Sequence, residues 1–290
     1  MRRVCLSLLL VLLLYACGGD GEGGAVVVSD LPALTAYLIG VLEAESDLAA
    51  VTTPTLAATT TEQAADLAEQ AVAAYADFAA AVAALAPPPE AEDNQVALIG
   101  LAEDGVALSE RLVEAVDSMD LQEITAVALD TLDLSIRGVD EVAERQTLIA
   151  GVLATHPERP LNQYLTAVGE LWIPLTKDYH RLTSEAQRRL LTGDFSGAIG
   201  PYQELIDRFN RFLPEWDAVV APVEAAEFHT WYREWAGDGL ELISLLLTDL
   251  RDQDLTGLQG DLSQVATWAT GWSEAILRRN AITIAALENP

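Results

Sequence analysis

The chain has 290 residues, half of them apolar, and carries 45 acidic against 16 basic side chains, a formal charge of −29. That balance excludes a nucleic-acid binder, which needs a basic footprint for phosphate, and its plain reading is solubility and colloidal spacing. The composition favours helix and strand-type alternation is absent, so the fold class expected is all-α.

Met1, Arg2 and Arg3 open the chain, an apolar run follows from Val4 to Ala16, and the sequence then turns to "CGGDGEGG". A charged start, a short apolar stretch and a small residue before a cut site make a secretion signal. The run is too short to span a bilayer, which takes ~20 apolar residues. Leu14-Tyr15-Ala16-Cys17 resembles the lipobox of bacterial lipoproteins, in which a branched aliphatic stands three residues before an obligatory cysteine and a small residue directly before it. Tyr15 departs from the small or β-branched residue usual at its place. The resemblance covers this opening segment alone. It implies that residues 1–16 are removed and that Cys17 becomes a diacylglycerol-modified first residue. The mature chain would then be extracytoplasmic, lipid-anchored to the cell membrane or the outer membrane. Two acyl chains suffice for stable anchoring. Cys5 leaves with the signal, so no disulfide framework remains. Residues 17–29 read as the lipidated cysteine and a flexible, Gly-rich linker.

From residue 30 onward, helical periodicity and start and stop signals give eight helices. They are expected at 30–52, 61–86, 89–117 and 121–154, and then at 160–191, 195–220, 222–251 and 255–287. Asp30 with Pro32, the boxes Thr59-x-x-Glu62 and Asp120-x-x-Glu123, Pro89, Asp194 after Gly193, and Asp254 mark starts. Pro174, Pro201 and Pro214 fall within helical pattern and are expected to kink or restart it.

Two stretches align without gaps at an offset of 134, from Pro88 and from Pro222, with ten of thirty-four positions identical, among them Asp104-Gly105 and Asp238-Gly239. The pattern suggests an internal duplication. Short connections make consecutive helices antiparallel, so the expectation is two tandem up-down four-helix bundles, residues 30–156 and 157–290, with the boundary near His156. A mid-helix glycine costs ~1 kcal/mol relative to alanine. Close helix approach is the plain reason for Gly105 and Gly239, and a kink exposing carbonyls to a ligand the sharper one.

No catalytic motif, phosphate loop or metal-ligand spacing occurs in the chain. His156, His180 and His229 lack carboxylates in helical register, so core or surface roles are expected and neither a metal site nor a cofactor is assigned. Glu103, Glu110, Glu114 and Asp117 share one helical face, read as solvated, with cation binding as the alternative. All six tryptophans lie in the second copy, and folding its helices about their turns gathers Trp172, Trp216, Trp231, Trp235, Trp268 and Trp272 towards one end. An oversized core layer is the plain reading. An indole-lined pocket, with polar groups from His229, Tyr232 and Arg233, is the candidate ligand site. The expected function is therefore a membrane-anchored binding or scaffolding module of the cell envelope, with an envelope protein as partner. A small-ligand or cation-binding lipoprotein using the Trp-rich end is the alternative, and an enzyme ranks last.

Overall fold

The computed structural model describes residues 29–52 and 61–289. Cys17, its linker and Thr59 of the first capping box lie outside the described residues. The described chain is helical and contains no strand: α1 (Leu31–Thr52), α2 (Thr61–Ala83), a 3₁₀ turn (Pro89–Ala91), α3 (Glu92–Asp117), α4 (Leu121–Leu153), α5 (Pro160–Leu191), α6 (Phe195–Asp217), α7 (Ala226–Asp252), α8 (Leu255–Ala269) and α9 (Gly271–Glu288). No described helix is long and apolar enough to cross a membrane.

The caps sit where the aspartates stand. The Asp30 carboxylate accepts from the Ala33 N–H, Asp120 from Gln122 and Glu123, Asp194 from Gly197, and Asp254 from Thr256 and Gly257. Each satisfies donors that the first helical turn leaves open. Glu123 does not close its box; it pairs with Arg111 at 2.8 Å. Helices α5 and α6 remain continuous through Pro174, Pro201 and Pro214, so no restart occurs at those prolines. The expected helix 255–287 instead breaks at Thr270, a site without proline. There the Trp235 indole N–H donates to the Trp268 carbonyl at 3.1 Å and its ring lies against Gly271. A side chain inserted into the helical ladder bends it as surely as a proline does.

Helices α1 to α8 pack mainly on their neighbours in sequence, while α9 touches α8 only slightly and packs on α1, so the helices close a ring. Contacts between α1 and α4, and between α9 and α5, are slight. Two separately closed four-helix bundles are thus not confirmed: one buried core runs through both halves, from Leu34 and Leu38 to Trp235 and Leu287. A second cluster, including Leu108, Leu112, Ile124 and Leu132, fills one end of α3 and α4.

Up-down alternation gives the ring two ends. The proximal end carries Ser29 and the loops near residues 84–91, 154–159 and 218–225; the distal end carries the turns at 118–120, 192–194 and 253–254. Turns 134 residues apart share their geometry. Met119 and Gln253 are both left-handed, with φ of 56° and 57°. The Asp120 N–H reaches back to the Ala115 carbonyl and the Asp254 N–H to that of Asp249. At the proximal end, the Ala91 N–H donates to the Pro88 carbonyl and the Ala225 N–H to that of Pro222, and both alanines are fully buried.

Candidate functional site

The tryptophans gather as their spacing predicts, and they gather inward. Trp216 is fully buried on α6, stacks on His229 (5.0 Å between ring centres, 8° between planes) and donates its indole N–H to the His229 carbonyl at 3.1 Å. Tyr232, also fully buried, lies 4.7 Å from Trp216 and 5.3 Å from Trp235. Trp235 stacks on Trp268 at 4.6 Å and meets Trp272 edge-on at 4.7 Å. Trp235 and Trp268 also exchange hydrogen bonds, each indole N–H reaching the other residue's carbonyl. Trp172 faces the Tyr232 hydroxyl, whose pKa burial pushes up. Trp231 stacks on Trp235 and is only half-buried, with the Arg278 guanidinium 5.0 Å above its ring.

This arrangement is that of a core. Aromatic rings meeting face-to-face or edge-on at these separations contribute ~0.5–1.5 kcal/mol per pair beyond the area they bury. The rings fill space that an indole-lined pocket would leave open. Gly105 and Gly239 follow the same logic. A methyl at Gly239 would collide with the Trp268 ring, and one at Gly105 would come 2.7 Å from Tyr75. Each glycine therefore admits an aromatic ring against the helix backbone, the close approach expected.

The histidines have structural surroundings. His180 is buried beside Tyr179 and Trp272, and burial pushes its pKa down to about 3. His229 is half-buried, 3.4 Å from the Tyr164 hydroxyl; burial lowers its pKa, against a smaller opposing pull from Asp217. His156 lies in the loop between α4 and α5, 3.5 Å from Glu158. Glu103, Glu110, Glu114 and Asp117 are all exposed, the last three lining a groove between α2 and α3 with Glu69. Among the described residues no three histidine, cysteine or carboxylate side chains stand together as a metal site would need.

A buried polar cluster joins helices of both halves at residues that no sequence motif singles out. Glu45 of α1, 1% exposed, receives Arg145 of α4 at 2.7 Å on one oxygen. Its other oxygen receives Asn280 at 2.9 Å and Arg279 at 3.4 Å, both from α9. Asn280 also donates to the Leu42 carbonyl, while Arg279 lies 4.5 Å over the Trp172 ring. One carboxylate thus joins the first helix, the last helix and α4. The sequence held a signal for it. Glu45 continues the buried stripe Leu34, Leu38, Val41 and Leu42, and Arg145 falls between Val142 and Ile149, so both occupy positions that the helical period assigns to the interior. Charged residues are rarely fully buried unless paired. A comparison of the chain with protein-family models, with curated proteins and with solved structures finds no match.

Proposed function

We propose that the chain is a lipid-anchored, extracytoplasmic protein whose paired helical repeats form a rigid scaffold for a protein partner in the cell envelope. The observation that carries this reading is the segment Leu14-Tyr15-Ala16-Cys17 at the end of a signal-like apolar run. The scaffold part draws support from the interior. The indoles pack against one another, and the helices at opposite ends of the chain meet through a buried charge cluster. A small-ligand site among the tryptophans has less support, because Trp172, Trp216, Trp235, Trp268 and Trp272 are buried in mutual contact or under Arg279.

We also infer that the halves descend from one duplicated unit. The matched turns at Met119-Asp120 and Gln253-Asp254, the matched Ala91 and Ala225 turns, and the ring-accepting glycines Gly105 and Gly239 support a repeat of 134 residues. The two units then share one core instead of standing as independent bundles.

The anchor is tested on the protein from its native membrane. Mass spectrometry is expected to find a diacylglyceryl group on an N-terminal Cys17, and Cys17→Ser is expected to move the protein to the soluble fraction. An unmodified Cys17, or a Cys17→Ser protein still held in the membrane, would overturn the reading. Cross-linking in intact envelopes is expected to capture a protein partner. Thermal stabilisation by a sugar, a lipid or a divalent cation, with no cross-linked partner, would favour the small-ligand alternative.

A further inference from the structure

The proximal and distal ends differ in ways that bear on which of them meets the bilayer. The three described turns at the distal end each contain a capping aspartate, Asp120, Asp194 and Asp254. Two of the three proximal loops carry an uncharged stretch, "ALAPPP" at 84–89 and "AVVAPV" at 218–223, bordered by Glu90, Asp217 and Glu224, while the third, 154–159, contains Glu158 and Arg159. Val220 and Val223 are 88% and 87% exposed and Val96, one turn into α3, is 71% exposed, the three most exposed large apolar side chains among the described residues. A groove of about 950 Å³ beside Val223 is lined by Leu161, Ile282 and Ala286 and also by Arg159 and Glu224.

The described chain also begins at this end. The Ser29 N–H and hydroxyl donate to the Glu90 carboxylate at 3.0 and 2.7 Å, which fixes the start of α1 against the 84–91 loop. Eleven residues separate Ser29 from Cys17. A stretch of that length spans at most ~40 Å, short of the ~48 Å that the 32 residues of α5 rise.

We propose that the proximal end is the membrane-contacting face, with the loops 84–89 and 218–223 resting on the bilayer and Val220 and Val223 entering the headgroup region. This inference rests on the lipid anchor at Cys17. Cys17 then lies within reach of the bilayer, and the ring axis stands away from the membrane, presenting the distal end to the envelope. Contact is made through uncharged tips, so it suits a neutral lipid surface; anionic lipid repels so acidic a body. The distal apolar residues Met119, Leu121, Phe195 and Leu255 are the competing candidates for lipid contact.

The full-length lipidated protein distinguishes the two ends. Its Cys17 thiol is blocked by the thioether, so Val220→Cys and Leu255→Cys each introduce one reactive thiol at an exposed position. Each is labelled with a polarity-sensitive fluorophore and placed in phosphatidylcholine vesicles with or without nitroxide-bearing lipid. The label at 220 is expected to shift to the blue and to be quenched several-fold more than the label at 255. Equal quenching, or stronger quenching at 255, overturns the proposal. Mass spectrometry of the same preparation separates the two possible failures. A lipidated Cys17 with an unquenched label at 220 sinks the orientation and leaves the anchor standing, whereas an unmodified Cys17 removes both.

Discussion

The proposed repeat, its halves called copy one and copy two, has a glycine at matching points of α3 and α7, 134 residues apart, with the space over each filled differently. In copy one the ring against Gly105 is Tyr75, from the helix before; in copy two the ring against Gly239 is Trp268, from the helix after. Around Trp268 stand Trp235, Trp272 and Tyr179, where copy one has Leu101 at the place of Trp235. The backbone site is the same in both halves while its occupant differs. A glycine in a helix thus specifies a close approach, and the rest of the core decides which side chain makes it.

The sharpest test of that comparison asks whether the copies are separable at all. All six tryptophans report on copy two, whereas circular dichroism reports on both. With one shared core, the two unfolding curves are expected to coincide. Glu45→Ala strikes the seam between the copies by leaving Arg145 and Arg279 buried without their carboxylate. A loss of about 3–5 kcal/mol is expected, the usual cost of breaking a buried ion pair from one side. Loss of under about 1 kcal/mol in denaturant unfolding would show that the seam is not held there.

Gly105→Ala and Gly239→Ala compare the two approaches directly. Each adds a methyl against a ring, and overpacking of that kind costs about 1–3 kcal/mol. Gly239→Ala should lie at the upper end, because Trp268 is pinned by stacking and by its hydrogen bond to the Trp235 carbonyl. A reversed order, measured by thermal unfolding, would mean that the tryptophan layer yields more readily than the Tyr75 contact.

Acid separates the copies through His180, whose counterpart in copy one is Ser46. The folded pKa of about 3 lies below the ordinary value of 6.5, so the unfolded chain binds the proton first. Stability contributed by the neutral ring is complete above pH ~6.5 and declines below it by up to about 1.4 kcal/mol per pH unit until the folded pKa is reached. His180→Gln is expected to flatten this limb in unfolding free energies measured against pH, while Ser46→Ala leaves its slope unchanged.

The smallest effect belongs to what the copies share. Met119→Gly and Gln253→Gly should each stabilise the protein by roughly 0.5–1 kcal/mol, since glycine relieves the left-handed backbone at both positions. A gain at one position only would mark a turn whose strain is compensated by its surroundings.

The sequence by itself determined the helices and most of their ends. Local chemistry suffices for that: an aspartate caps the helix that follows it wherever it stands, and apolar residues at helical spacing define a buried face whatever lies opposite. It also determined that the indoles would meet, because antiparallel helices joined by short turns leave little freedom in level. Tertiary structure decided the rest. Whether the meeting place would be a pocket or a filled layer depended on ring orientations set by several helices together. The break at Thr270 came from the Trp235 indole, 35 residues away in sequence. The closure of α9 on α1 and the cluster at Glu45 depend on residues up to 238 positions apart. Such pairings leave no periodic trace, since a helix records which of its faces is buried and not which helix buries it.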